Sequence, residues 1–307
     1  MNRESILANV PQTVRVVEVG PRDGLQNESA ILSTEDKRRY IEMLANTGMS
    51  DIEVTSFVNP ARVPQLADAE ELFASLAPRP AARYSALVPN RRGLDRALRA
   101  GVRAIAFFTA ASETFTERNI GMSIGESLDG FAAMMQSARE HGLWVRAYVS
   151  TAFACPFEGV IVPAQVVPVV ERLIEMGVDE VSVGDTIGHA TPNEVTEMTD
   201  ALAPILPLEQ LAYHFHDTRG TALANVLAAL EQGVSVFDSA SGGAGGCPFA
   251  PGAAGNLATE DLLYMLHGMG ISTGIDIDKV VDASRFLASQ LGRSLPGKYL
   301  QSANAAC

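Results

Sequence analysis

The 307-residue sequence reads as an α/β protein of the closed (β/α)8 TIM-barrel class. Eight short runs rich in β-branched residues recur from end to end, each followed by a longer segment with helical spacing. Several of those helical segments stop at a glycine. No linker, low-complexity tract or change of composition divides the chain. One domain over 1–307 is therefore expected, with the barrel over about 13–270 and a helix and tail over about 271–307. An open doubly wound sheet is the structural alternative.

The strand candidates in order are TVRVVEV (13–19), DIEVTSF (51–57), RYSALV (83–88), AIAFFTA (104–110), WVRAYVS (144–150), EVSVGD (180–185), LAYHFHD (211–217) and VSVFDSA (234–240). Helix candidates lie between them at 34–47, 92–100, 125–141, 164–176, 192–203 and 221–232. In the last, Leu223, Val226, Leu227 and Leu230 form an apolar stripe at three- and four-residue spacing. Gly48, Gly101, Gly142, Gly177 and Gly233 supply the expected C-terminal stops. After Leu263 the helical pattern continues to about Leu291 and leaves a polar tail, GKYLQSANAAC.

Composition narrows the function. With 47% hydrophobic and 19% charged residues the chain has ample material for a large core. No apolar run approaches the roughly 18 residues of a membrane span, and MNRESILANVPQ lacks the apolar stretch of a secretory signal. A cytoplasmic protein with no membrane partner is expected. Three scattered cysteines indicate no disulfide framework. A net charge of −13 argues against nucleic acid, whose phosphates need a basic face. It leaves room for an anionic small molecule held by a few local cations.

The unusual residues collect at strand ends. His214 and His216 stand two apart in a strand, so both point the same way, and two adjacent imidazoles are a ready chelate. Arg22 and Asp23 follow the first strand in GPRDG, Glu53 lies inside the second, and Asp185 ends the sixth. The run SGGAGGCPFAPGAAGN (241–256) follows the eighth. Closure makes strand eight the neighbour of strand one, so these groups gather at the C-terminal mouth, where active sites of this fold sit. Singly, each has a plainer reading. The histidines suit a hydrogen-bonded core, Asp23 a D-G turn, Cys247 a small buried hydrophobe, and the glycines a flexible loop or an anion-holding nest. Two imidazoles, a carboxylate and an amide carbonyl would leave positions open on a six-coordinate ion. That set favours Mg²⁺ or Mn²⁺, with Zn²⁺ or Co²⁺ possible.

VEVGPRDGLQNE (17–28), IEVTSFV (52–58), GDTIG (184–188), HFHDTRG (214–220) and GGCPFAPGAAGNLATEDLLYML (245–266) resemble the 3-hydroxy-3-methylglutaryl-CoA lyases, members of the DRE-TIM metallolyases, from about residue 13 to 290. The resemblance implies metal ligands at Asp23, His214, His216 and Asn256. It implies a catalytic arginine at Arg22, a catalytic loop cysteine at Cys247, and acidic active-site residues at Glu53 and Asp185. The base would be Asp23 or His214. The implied reaction is a divalent-metal-dependent carbon–carbon cleavage giving acetyl-CoA and acetoacetate, as in leucine degradation and ketone-body formation. An acyl-CoA substrate and a homodimer or higher homo-oligomer follow from the same likeness, with Lys298 and Arg118 expected near the CoA phosphates. Arg219 stands where animal lyases carry an aromatic residue, which admits a longer-branched 3-hydroxyglutaryl-CoA. A condensing synthase is the remaining alternative, although synthases lack a GGCP cysteine after strand eight.

Overall fold

The computed structural model describes residues 10–246 and 255–305. Its strands β1 (Arg15–Glu18), β2 (Asp51–Ser56), β3 (Arg83–Leu87), β4 (Ala104–Ala110), β5 (Trp144–Ser150), β6 (Glu180–Asp185), β7 (Leu211–Phe215) and β8 (Val236–Ser239) close into a parallel barrel. β8 pairs with β1 in register from Arg15–Val236 to Glu18–Ser239, so residues from opposite ends of the sequence share one rim. Outside lie α1 (Thr34–Ala45), α2 (Ala69–Ser75), α3 (Arg91–Arg99), α4 (Glu113–Ile120), α5 (Ile124–Glu140), α6 (Pro163–Met176), α7 (Pro192–Leu202), α8 (Ala222–Glu231), α9 (Thr259–Gly268), α10 (Ile277–Leu291) and α11 (Lys298–Ala305). Among the described residues no helix is long and apolar enough to cross a membrane.

Local chemistry sets the boundaries. Ser33 caps α1 by accepting from the Asp36 amide at 3.1 Å. Ser123 and Glu126 cap α5 reciprocally. Proline opens α6 and α7, where its missing N–H costs nothing. The helical pattern expected to run from Leu263 to Leu291 is two helices, interrupted at 269–276 by a turn with glycines at 270 and 274. The polar tail, to which the sequence assigned no definite structure, forms α11. Its first amides, from Lys298 and Tyr299, donate to the Asp261 carboxylate at 3.0 and 2.6 Å, and Leu300 is buried. The helices α2 and α4 and a small hairpin, Ala154–Cys155 with Gly159–Val160, were not distinguished by periodicity.

The main apolar core lies between strands and helices. On β7, Tyr213 and Phe215 point outward into it, as alternation requires, with Tyr213 bonded to Thr199 of α7 at 2.8 Å. Each such buried aromatic contributes about 1.5–3 kcal/mol. The lumen is different. Barrels of this class usually fill with Val, Ile and Leu. Here contacts between non-neighbouring strands cross the interior as ion pairs and a charged hydrogen bond. Arg15 of β1 meets Glu180 of β6, Arg146 of β5 meets Asp238 of β8 at 2.6 Å, and Tyr148 of β5 donates to Glu53 of β2 at 3.0 Å. Val17, Val19, Ala212, Val236 and Ala240 pack beside them.

Glu18 points the other way, between barrel and helices, and is fully buried. Its carboxylate accepts from the Gly20 amide (2.8 Å), the Ser241 amide (2.9 Å) and the Thr259 hydroxyl (2.7 Å). One side chain thus joins the exit of β1 to both ends of the segment that follows β8. Burial pushes its carboxyl up to about 8 from an ordinary 4.5, against the pull of those donors. The folded chain therefore holds this proton more tightly than the unfolded one. The resulting stabilisation is full below about pH 4.5 and is lost as pH rises through about 8. Glu18→Gln keeps an oxygen for the two amides and removes the titration. Its unfolding free energy, measured with urea at pH 5 and pH 8, should fall less between the two than that of the parent. Glu18→Ala should lose about 1–3 kcal/mol for each donor it orphans.

Candidate metal centre

The chain leaves β1 through a single π-helical turn, Gly20–Gly24, in which Val19 O accepts from the amides of Arg22, Asp23 and Gly24 at 3.2, 2.7 and 3.2 Å. Such wide turns commonly mark functional sites. Only glycine fits at its start, because a Cβ on Gly20 would lie 2.4 Å from Glu18 Oε1 and 2.5 Å from the Tyr40 hydroxyl. The turn sets Arg22 and Asp23 over the barrel end. Arg22 Nη1 donates to Asp23 Oδ1 at 2.5 Å, and Arg22 Nε donates to Glu53 Oε1. The guanidinium also lies 5.4 Å from the centre of the Tyr148 ring. Its Nη2 makes no hydrogen bond among the described residues.

His214 on β7 and His216 just past its end face the same mouth with their Nε2 atoms 3.2 Å apart. The returning chain supplies the next group. Leu257 N donates to Phe215 O at 3.0 Å and Asp217 N to Gly255 O at 3.2 Å, which lays Asn256 opposite His216. A Cβ on Gly255 would meet the carbonyl oxygens of Gly243 and Gly245 at 2.3 Å each, so this approach also needs glycine. Asn256 Nδ2 donates to Asp23 Oδ2 at 2.9 Å and to Ala244 O at 3.0 Å. Its Oδ1 is buried without a partner.

These groups fit a cation. Asp23, His214 and His216 offer ligand atoms all within 4.8 Å of one another, the one such cluster among the described residues. Burial, with His214 beside it, pushes His216 down to about 4, so its imidazole is neutral at neutral pH. Burial disfavours the Asp23 charge, but Arg22 and then His214 outweigh it and hold the carboxyl well below the usual range. Two imidazole nitrogens, an ionised carboxylate and an orphaned amide oxygen make a mixed donor set with too few ligands to close six positions.

The other expected site residues divide. Glu53 lies in the cluster, joined to Arg22 and Tyr148. Asp185 does not. Alternation along β6 turns it away from the lumen that Glu180 and Ser182 face, and its carboxylate accepts the amides of His189 and Ala190 at 2.8 and 2.9 Å. Burial pushes it up to about 6. Cys247 lies outside the described residues, as does Cys307. Sequence reasoning passed over Asp238 and Arg146, which adjoin the histidines from below. Their signal was present as a charged residue at an inward position of an otherwise apolar strand.

The HMGL-like family model matches residues 13–287. The chain is 48% identical over 297 residues to the cytoplasmic 3-hydroxy-3-methylglutaryl-CoA lyase of Rattus norvegicus, covering 97% of this chain and 87% of that one. It is also 48% identical over 286 residues to the 3-hydroxy-3-isohexenylglutaryl-CoA/hydroxy-methylglutaryl-CoA lyase of Pseudomonas aeruginosa, covering 93% and 95%. Among solved structures, an HMG-CoA lyase from Acinetobacter baumannii in complex with coenzyme A and 3-methylmalate superposes with a TM-score of 0.91 at 39% identity, over 95% of each chain.

Mn²⁺ titrated into metal-stripped protein should bind one class of site. His216→Ala should weaken that binding by more than the roughly 10–100-fold that loss of an outer partner costs. Unchanged Mn²⁺ affinity would return His216 to the role of an ordinary core histidine.

Proposed function

The chain belongs to the HMGL-like family, and we propose that it is a divalent-metal-dependent lyase cleaving 3-hydroxy-3-methylglutaryl-CoA to acetyl-CoA and acetoacetate. The observation that carries this reading is the mouth itself. A guanidinium fixed on Glu53 stands beside a carboxylate, two imidazoles and an amide oxygen left without a partner.

Asp23, His214, His216 and Asn256 would hold the ion, with Mg²⁺ or Mn²⁺ preferred by the oxygen donors and open positions. When bound, it supplies Lewis acidity that lowers the pKa of the substrate's tertiary hydroxyl. The hydroxyl proton passes to a base, which we assign to the Asp23 carboxylate, since the two ring nitrogens of His214 would be taken up by the ion and by Asp238. As the C–O⁻ becomes a ketone, the adjacent C–C bond breaks and its electron pair moves onto the departing acetyl thioester as an enolate. Arg22 meets that enolate oxygen. Its Nε and Nη1 are occupied by Glu53 and Asp23, which fixes the guanidinium and leaves Nη2 to donate to the enolate. The enolate carbon then takes a proton, which we assign to the Cys247 thiol; the base releases its proton to solvent and the thiolate regains one from it, so products and enzyme form with no net gain or loss of atoms. Glu53, fixed in turn by Tyr148, keeps the guanidinium in place. We leave Asp185 a supporting role, holding the turn after β6 at the rim. For the CoA phosphates we retain two cations. Lys298 rests its ammonium on Asp217, next after His216, at 2.7 Å. Arg118 lies over the Phe157 ring at 4.1 Å.

Purified protein with hydroxymethylglutaryl-CoA and Mg²⁺ or Mn²⁺ should release acetoacetate and acetyl-CoA in equal amounts. Metal-bound protein that leaves the thioester intact would sink the proposal. Arg22→Lys retains charge but loses the planar fork, so it should bind Mn²⁺ normally and turn over about 10²–10³-fold more slowly. Cys247→Ala should keep fold and metal yet lose most cleavage, and thiol alkylation should inactivate the parent unless substrate is bound. An alkylation-resistant enzyme would move the proton donor elsewhere.

A further inference from the structure

The two imidazoles at the mouth are not equivalent. His216 Nδ1 is buried with no hydrogen-bond partner, whereas His214 Nδ1 lies 3.2 Å from Asp238 Oδ2. We propose that Asp238 is a positioning residue for the metal: it holds the His214 ring with its proton on Nδ1, so that the Nε2 lone pair is presented where Asp23 and His216 converge. This rests on the metal reading of the mouth given above.

The argument is one of donors and acceptors. An ionised carboxylate only accepts, so the ring nitrogen facing it must carry the proton. The other nitrogen, Nε2, is then left with a lone pair, and it is the one 3.2 Å from His216 Nε2. Without a fixed partner, a neutral imidazole presents N–H or lone pair to the same point with little preference. That would be an obstacle to binding a cation.

Asp238 can impose the choice because it cannot turn. It is buried in the lumen. Its Oδ1 accepts from Arg146 Nη2 at 2.6 Å, and its Oδ2 accepts from the Ser182 hydroxyl at 3.0 Å. Arg146 is fixed in turn by Glu180, 2.8 Å from its Nε, and by the Tyr148 hydroxyl, 3.2 Å from its Nη1. The Asp238 charge has a fixed counter-charge in the Arg146 guanidinium, which holds it as an acceptor toward the ring. The register supplies the contact directly, since Asp238 on β8 is paired with His214 on β7. A carboxylate on the far nitrogen also raises the basicity of a ligating one.

Mn²⁺ affinity and histidine tautomer, read by long-range ¹⁵N–¹H NMR of the metal-free protein, test the proposal without reference to turnover. With five histidines in the chain, the His214 signals can be assigned from their loss in His214→Gln. The parent should show His214 as a single Nδ1–H tautomer. Asp238→Asn, which keeps the shape and removes the charge, should mix the tautomers and weaken Mn²⁺ binding by roughly 10–100-fold. If that variant does not fold, because Arg146 is left unpaired, Arg146→Gln/Asp238→Asn removes both charges and is expected to give the same two changes. An Nε2–H tautomer in the parent, or undiminished Mn²⁺ affinity in whichever variant folds, overturns the proposal. A parent that binds no Mn²⁺ overturns the metal reading itself, and the positioning role with it.

Discussion

Charge inside a closed barrel is the constraint on which the rest depends. Removing an ion from water costs several kcal/mol even after a protein relaxes around it. A lumen containing Arg15, Arg146, Glu53, Glu180 and Asp238 is tolerable only if each has a counter-charge in reach. The strands meet that demand across the barrel, from Arg15 and Glu180 through Arg146 and Asp238 to His214. A second chain runs from Tyr148 through Glu53 to Arg22 and Asp23. Both end at the mouth. The pairing that makes the interior stable also orients the side chains at its rim, so removing an inner partner disturbs the site without touching it.

Much of this was legible in the sequence because it is local. Strand period alone turned His214 and His216 to one face and sent Tyr213 and Phe215 into the helical layer. Closure, inferred from eight repeats, brought the GPRDG turn beside them. What escaped depends on partners distant in sequence. Helix α11 begins where Asp261 caps its amides, a feature invisible in GKYLQSANAAC. Asp185 was grouped with the site by its place at a strand end, but one step of register turns it to the amides of its own loop. Asp238 and Arg146 read as ordinary strand residues until the barrel sets them 2.6 Å apart.

The segment after β8 shows how the fold handles the glycine-rich connection. Its start is held by two buried acids. Glu18 takes the Ser241 amide, and Glu260 takes the Gly242 amide at 2.8 Å while accepting from Ser284. Its return is held by backbone pairing with the end of β7. Because Glu18 also binds the Gly20 amide, the Arg22 turn and both roots of the segment are tied to one side chain. Whatever path the intervening residues take, their ends are placed relative to Arg22 and Asn256 by the same carboxylate.

Glu18 and Asp238 are both fully buried acids on adjacent strands, yet their environments drive them in opposite directions. Among the described residues Glu18 faces neutral donors and no cation, and burial prevails, pushing its carboxyl up to about 8. Asp238 faces the Arg146 guanidinium, and the cation outweighs burial and holds the carboxyl low. The difference suits their positions. An acid that joins backbone segments works through geometry and has no need of a permanent charge. An acid behind an imidazole that is to present its other nitrogen to a cation must stay ionised, since a protonated carboxyl can donate to Nδ1 and reverse the tautomer. Opposite faces of the sheet therefore require opposite electrostatic settings, and the placement of one arginine in the lumen provides them.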